Sequence, residues 1–416
     1  GLWATGSVPE FWTAIAFFLI AILLDLAPAE TVFSGFHSST LWLLFSGIIL
    51  GAAMRHTGLG KRTARLLTQS VGNRYYRVIA GVTFFSLALA FIMPSSMGRI
   101  VLLVPILLSL ADHLGYEQGR PGRTGMLAAA VLGTNLPAYA ILPANAPNMI
   151  LAGMAESLFD VHLSYWEYLL IHFPVLGLTK AIILIGLILW LFPDKAPKTA
   201  PDTKEAPSSL SSHERKLIVI LVACLAFWVT DALHHISPGW VGLAAALYCL
   251  WPGSGLTEKN TINDSVNYGS LFFVAGIIGL GAVIATSGLG SVLFTRLTDI
   301  VDFSGHSSVV SISIMTALST LVAIIAGLPS VPAVITPIAE DISSITGLSL
   351  TTILMTQVVA FSNVLLPYQA PPLIVAAQLS QIPILNLAKI CLALFVITVL
   401  ILIPLDLLWW SILGLI

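Results

Sequence analysis

The side chains best placed for chemistry in this chain are amides, hydroxyls and one guanidinium lodged inside long apolar runs. Two stretches read almost alike, Leu142-Pro143-Ala144-Asn145-Ala146-Pro147-Asn148 and Leu366-Pro367-Tyr368-Gln369-Ala370-Pro371-Pro372, and each interrupts a hydrophobic segment. Proline removes a backbone donor and breaks a helix. Both stretches therefore free carbonyls and amides, which a bilayer tolerates only where the opened backbone lines a cavity or is buried in protein. Unsatisfied amides at a half-helix N-terminus attract anions, and freed carbonyls attract cations. Pro147 suits the first turn of a helix restarting after the break, with Asn145 or Ala146 near its cap, and Pro371 sits likewise after Gln369. Asn145 and Gln369 are then matched amides able to donate to a substrate oxygen or accept from it. The alternative is that they satisfy only the broken backbone.

Two more apolar regions are interrupted by small residues and prolines, at Met93-Pro94-Ser95-Ser96-Met97-Gly98 and at Gly327-Leu328-Pro329-Ser330-Val331-Pro332. Ser95, Ser96 and Gly98 at the first interruption, and Ser330 at the second, supply short hydroxyls and close backbone approach, or simply permit a tight turn. Arg99 comes directly after the first interruption and is the one ionised side chain between Arg77 and Asp112. An arginine deep in a bilayer costs at least ~2.5 kcal/mol, so it faces the bundle interior with a partner. It is suited to hold an anion bidentately, to supply a fixed positive charge, or to pair with a carboxylate or carbonyls near the turn. Thr134-Asn135 and Ser362-Asn363, just before the two breaks, read equally as site residues and as interhelical hydrogen-bond partners. Lys180 and Lys389 lie near predicted span starts and are expected to snorkel to the interface. Asp25, Glu30, Glu340 and Asp341 are expected at solvated span ends.

The elements that must position these groups can be read from composition. Of 416 residues, 57% are hydrophobic and only 9% charged, and mean hydropathy is +0.95. Soluble domains carry roughly 25% charged residues, so a water-soluble globule is excluded. A net charge of −2 points to no nucleic-acid partner. Cys224, Cys249 and Cys391 lie singly without metal-ligand spacing, and His56, His172 and His235 are scattered. No Ser/His/Asp set or Gly-rich phosphate loop is present, which argues against a membrane-embedded enzyme. Predicted spans are about 11–27, 40–56, 124–158 (broken near 142–148), 165–192, 214–232, 238–252, 270–286, 348–380 (broken near 366–372) and 384–413. The first lacks the basic start of a secretory signal and reads as a mature span. Regions 78–112 and 308–341 are expected to be re-entrant hairpins, with two short spans each as the alternative. The polar stretch 193–213 is the linker.

The halves repeat. LWLLFSGIILGAAMRHTGLG (41–60) matches LFFVAGIIGLGAVIATSGLG (271–290) without a gap, pairing Gly51 with Gly281, Gly58 with Gly288 and Gly60 with Gly290. Arg55, Lys61, Arg62, Arg65, Arg74 and Arg77 accompany the first copy, whereas Arg296 meets Asp299 and Asp302 after the second. The positive-inside rule places the first amphipathic stretch in the cytoplasm. An odd number of predicted spans then separates it from the second, so the repeats are inverted. The expected fold is an all-α polytopic membrane protein of two inverted-topology repeats, 1–192 and 214–416, each with a re-entrant hairpin and a broken transmembrane helix. Paired helix breaks in inverted repeats are the organisation of secondary transporters.

In TLWLLFSGIILGAAMRHTGLGKR (40–62), GTNLPAYAILPANAPNMILAGM (133–154), HISPGWVGLAAALYCLWPG (235–253) and the 271–290 segment, the chain resembles the divalent anion:sodium symporter family, of the solute carrier family 13 type. The resemblance covers nearly the whole chain, and Pro147 to Ile150 is similar to that family's Thr-Pro-Pro-Asn stretch. It implies a homodimer of scaffold and moving transport regions, the latter holding 78–158 and 308–380, in the plasma (inner) membrane. It also implies a small anionic substrate, sodium as coupling ion, and a sodium site near Ser95, Ser96 and Asn145. Family members usually have one more helix before the first span seen here, and carry Ser-Asn-Thr at both hairpin tips. This chain has Ser95-Ser96-Met97 and Gly327-Leu328-Pro329, so neither tip has the asparagine and Arg99 is the candidate to compensate. The substrate-binding set expected is Ser95, Ser96, Gly98, Arg99, Asn145, Ala146, Pro147, Asn148, Ser330, Gln369 and Pro371. The function expected is secondary active transport of a carboxylate, sulfate or related anion, with a cation/proton exchanger or arsenite-type carrier of the same superfamily as the alternative.

Overall fold

The computed structural model describes residues 8–60, 62, 74–91, 93, 95–195, 209–299 and 305–416. Pro94, Lys61, Arg65, Asp302 and most of the 193–213 linker lie outside the described residues. Every regular element among those described is helical. In chain order the longer ones are α1 (Glu10–Leu23), α2 (Ser39–His56), α3 (Tyr75–Ala90), α4 (Ser96–His113), α5 (Pro121–Gly133), α6 (Ala146–Phe159) and α7 (Tyr165–Leu191). The second half holds α8 (Ser212–Val229), α9 (Pro238–Leu250), α10 (Tyr268–Thr286), α11 (Leu289–Thr298), α12 (Ser308–Ala326), α13 (330–346), α14 (Leu350–Phe361), α15 (Pro371–Ser380) and α16 (Ile384–Ile412).

Local chemistry sets the starts. Ser38 caps α2 by accepting from the Thr40 amide at 3.2 Å, and Ser211 with Glu214 forms a reciprocal capping box on α8. Proline occupies the first turn of α5, α6, α9 and α15, where its missing N–H is not needed. Four described helices, α7, α10, α12 and α16, are each long and apolar enough to cross a membrane by length and composition. Large apolar side chains along α16 point outward, as with Leu385 and Leu400, which suits a lipid-facing surface.

The expected 78–112 region holds two helices, α3 and α4, that end at Ala90 and begin at Ser96. In the 308–341 region α12 is itself of spanning length, longer than one arm of a short hairpin requires, and only α13 is broken, by a 3₁₀ turn at Thr336–Ile338. The helix pairing is reciprocal between halves. α1 packs on α10 as α9 packs on α2, α3 on α5 as α12 on α14, and α15 on α4 as the start of α13 on α6. Gly58 and Gly288 follow the ends of α2 and α10 with φ of 80° and 76°, a left-handed conformation that favours glycine.

Close backbone approach decides the α2–α9 contact. A Cβ on Gly239 would lie 2.1 Å from the Ser39 carbonyl oxygen, and backbone cannot yield as a side chain can. Gly239→Ala is expected to destabilise the fold by about 1–3 kcal/mol, read as a lower melting temperature in detergent. At the end of α7, Asp194 accepts from Arg120 Nη2 at 2.8 Å and from the Gly122 amide at 2.7 Å, tying that end to α5. Burial would raise the Asp194 carboxyl, but the Arg120 hydrogen bond and the Lys195 and Gly122 amides together hold it below its ordinary value. A depressed carboxylate contributes stability above its unfolded pKa and loses it as pH falls through the folded one. Asp194→Asn is therefore expected to lower stability at neutral pH by about 1.5–3 kcal/mol, with the gap from the parent protein closing in acid below about pH 4. Melting curves of both proteins against pH check this.

Candidate functional site

The first helix break and the start of α4 meet around Arg99. α4 begins at Ser96, with Ser95 as its cap accepting from the Gly98 amide at 3.1 Å. That start puts Arg99 in the first turn, and its side chain is fully buried. α5 ends at Gly133, and after short 3₁₀ turns at Pro137–Ala140 and Leu142–Ala144 the chain restarts as α6 with Asn145 at its cap position. The N-terminal ends of α4 and α6 thus converge on one polar centre, and each carries a partial positive charge.

Arg99 fastens the break to the turn. Its Nε donates to Thr134 Oγ1 at 2.7 Å, Nη2 to the Thr134 carbonyl at 2.8 Å, and Nη1 to the Met93 carbonyl at 2.5 Å. Nη2 also reaches Ser96 Oγ at 3.4 Å and Asn145 Oδ1 at 3.5 Å. Ser96 Oγ in turn donates to Asn145 Oδ1 and lies 3.3 Å from the Ala144 carbonyl. Every one of these acceptors is a neutral oxygen, and among the described residues no carboxylate pairs with Arg99. The buried Asn145 Nδ2 has no hydrogen-bond partner in the protein. The centre therefore offers a net positive charge, two helix N-termini and a spare amide donor to anything bound there.

The other expected residues are distributed around this cluster. Ala146 and Pro147 form the first turn of α6, Pro147 buried and Ala146 partly exposed. Asn148 turns back into the break, donating to the Tyr139 and Ile141 carbonyls at 3.0 and 2.8 Å, which leaves its buried Oδ1 unpaired. At the second break Gln369 serves the backbone: its Oε1 accepts from the Leu365 and Leu366 amides, both at 2.8 Å, and its Nε2 is left without a partner. The Gln369 carbonyl accepts from the Leu328 amide at 3.2 Å, so the second turn is tied to the second break as the first is to the first. Ser330 Oγ donates to the Ala326 carbonyl at the end of α12 at 2.8 Å, and Pro371 opens α15. Among the described residues no hydrogen bond joins Ser330, Gln369 or Pro371 to the Arg99 cluster, but α15 packs on α4 and α13 on α6, which brings the halves together there.

One placement differs from the sequence expectation. Lys180 is not at an interface. It is 1% exposed, and its Nζ donates to the Ser362 carbonyl at 2.9 Å and hydroxyl at 3.2 Å. A π-helical segment at Phe173–Thr179 turns it inward, whereas Lys389 is exposed as expected. Thr134 is the principal partner of Arg99 by both hydroxyl and carbonyl, so its interhelical role holds, while Asn135 bonds only its own helix at Val131. Sequence reasoning missed Asp406, which is 1% exposed, because a lone acid near a helix end reads as solvated. A cavity of about 640 Å³, lined by Leu142, Met149, Ala152, Glu156 and His162 among others, reaches the first break from the protein surface.

Apolar helices of spanning length, interrupted where polar groups are buried, define a polytopic integral membrane protein. The family described as the Sodium:sulfate symporter transmembrane region matches residues 2–416, and this chain belongs to it. Similar relatives include a membrane protein of Cupriavidus necator, 22% identical over 297 residues, covering 70% of this chain and 58% of that protein. An uncharacterized transporter of Haemophilus influenzae is 24% identical over 332 residues, covering 78% of this chain and 69% of the relative. The L-tartrate/succinate antiporter of Escherichia coli is 25% identical over 271 residues, covering 61% and 54% respectively. The chain thus spans little more than half the length of most of these relatives. In fold it is similar to the crystal structure of the Alcanivorax borkumensis YdaH transporter, with a TM-score of 0.56 at 16% identity, covering 92% of this chain and 86% of that one.

Proposed function

We propose that this protein is a secondary active transporter that moves a small anion, a carboxylate, sulfate or relative, across the plasma (inner) membrane by alternating access. The observation that carries the reading is the buried Arg99 guanidinium, held by neutral oxygens at the meeting of two helix N-termini. A charge so placed is a functional group by default, and a carboxylate or sulfate matches its planar fork. Asn145 Nδ2 supplies a second donor, and Ser96 lies beside it at the start of α4.

The reciprocal helix pairing, together with the matched glycines Gly58 and Gly288, supports two inverted repeats, 1–192 and 214–416. In this reading α3–α4 and α12–α13 are the re-entrant hairpins, and residues 78–158 and 308–380 move against a scaffold within a homodimer. Sodium is the coupling ion that the family description suggests. A second reading, anion exchange without sodium, is favoured by one observation. Ser96 Oγ and Asn145 Oδ1, the oxygens a sodium beside Ser95, Ser96 and Asn145 would need, are turned toward Arg99. The relative named as a tartrate/succinate antiporter is consistent with that mode.

Thermal-shift measurements of the purified protein against a panel of anions, with and without sodium, test both. Stabilisation that needs anion and sodium together supports symport, and stabilisation by anion alone supports exchange. No shift with any carboxylate or oxyanion would overturn the anion reading.

A further inference from the structure

We propose that Asp406, acting with Lys180, is an intramembrane proton-binding site distinct from the anion site. Asp406 is 1% exposed, and neither carboxylate oxygen accepts a hydrogen bond in the protein. An ionised carboxylate without partners in a low-dielectric interior is strongly disfavoured, and it is relieved by taking up a proton or a cation. Lys180 is near enough to interact with it electrostatically, yet forms no ion pair with it, because its ammonium is bound to the Ser362 carbonyl and hydroxyl.

The two residues sit beside paired irregularities. α7 has a π-helical segment at Phe173–Thr179, immediately before Lys180, and α16 has one at Thr398–Leu402, four residues before Asp406. The two segments pack on each other, and Trp409 Nε1 donates to the Leu170 carbonyl at 3.0 Å across the same contact. π-Helical turns recur at functional sites. Resolving one into α-helix removes a residue from the turn and rotates the rest of the helix by about 100°, enough to re-aim Lys180 or Asp406.

The other titratable groups on elements packed against this part of α16 leave Asp406 as the acid. His172 has Nε2 3.2 Å from Met355 Sδ, its Nδ1 is unpaired, and its ring centroid lies 5.9 Å from that of Trp410. The Tyr168 hydroxyl donates to the Tyr139 carbonyl, Tyr165 is buried with its hydroxyl unpaired, and Glu167 is exposed. In this proposal Asp406 carries the proton while the Lys180 ammonium stays bound to Ser362. Release of that proton to water leaves a carboxylate that draws the Lys180 ammonium away from Ser362, the residue just before the second helix break. Loss of that bond frees a carbonyl at the break, so proton occupancy and the break are linked.

Infrared spectra of the protein in lipid, titrated from acid to alkaline pH without any substrate, read Asp406 directly. The expected result is a protonated-carboxyl band that disappears on titration and is missing in Asp406→Asn. Identical bands in both proteins, or a band that sodium removes at fixed pH, would overturn the assignment, the latter in favour of a cation site. Lys180→Met removes the neighbouring positive charge and is expected to move the band's disappearance to higher pH, and an unmoved titration sinks the coupling. A second arm rests on the transport reading: in liposomes, Asp406→Asn is expected to keep anion counterflow but lose acceleration by a pH gradient. Retained acceleration would count against the site, whereas absence of counterflow in the parent protein would count against the anion reading alone.

Discussion

Arg99→Ala is expected to abolish anion uptake into liposomes and to lower the melting temperature at the same time. The guanidinium does two things in one place. It carries the positive charge of the polar centre, and it joins Met93 and Thr134 across the gap between α4 and α5. Truncation leaves the buried Met93 and Thr134 carbonyls without a donor, a loss of about 1–3 kcal/mol for each group left unsatisfied. A stability loss of that size would by itself obscure a transport defect, so Arg99→Lys is the informative companion. Lysine keeps the charge but not the fork that bonds Thr134 through two different nitrogens. Arg99→Lys is expected to stay folded and to bind anion with affinity reduced about tenfold or more, the equivalent of one lost charged hydrogen bond. Full uptake by a folded Arg99→Ala protein would remove Arg99 from the mechanism.

Asn145→Asp tests the charge itself with almost no change in shape. The side chain already lies against Ser96 Oγ and Arg99 Nη2. Replacing its amide nitrogen by oxygen places a carboxylate beside the guanidinium, supplying the partner that Arg99 lacks. The fold is expected to be as stable as the parent or more so, because a buried charge gains a counter-ion. Anion binding is expected to fall sharply, since a bound anion would face a like charge. At about 4 Å and an effective dielectric near 20 that repulsion is about 4 kcal/mol, roughly a thousandfold in affinity. Calorimetric titration of an anion that stabilises the parent protein provides the check. Undiminished affinity in the aspartate variant would mean that the anion binds elsewhere.

Much of the helical plan was legible because the bilayer narrows the choices. Long apolar runs must be helices there, and the edges of α2, α10 and α16 fall within a few residues of the expected 40–56, 270–286 and 384–413. The two proline motifs were legible for the same reason, since each removes donors that a continuous helix needs, and α6 and α15 start at or beside them. The apparent equivalence of those motifs did not carry through to contacts. Asn145 turns its amide toward Ser96 and Arg99, while Gln369, one methylene longer, folds back onto the Leu365 and Leu366 amides. A side chain of that length can reach its own broken turn, and the shorter asparagine is left to its neighbours. Lys180 was misplaced, and Asp406 was passed over, because hydropathy locates a charge along a helix and not around it. The π-helical segments shift the facing of both residues, and no residue type announces a π turn.

By itself the sequence determined the membrane-embedded class, the likeness of residues 41–60 to 271–290 and the presence of one arginine that must find company inside the bundle. These rest on transfer energies and backbone donors, which depend on local composition. Only the tertiary structure decided what that company is. It brought the Thr134 and Met93 oxygens and Asn145 to Arg99, and set Asp406 near a lysine bound to something else. Partners of a buried charge are chosen by three-dimensional proximity across helices far apart in the chain, and rotation about a helix axis decides which side of it each group presents.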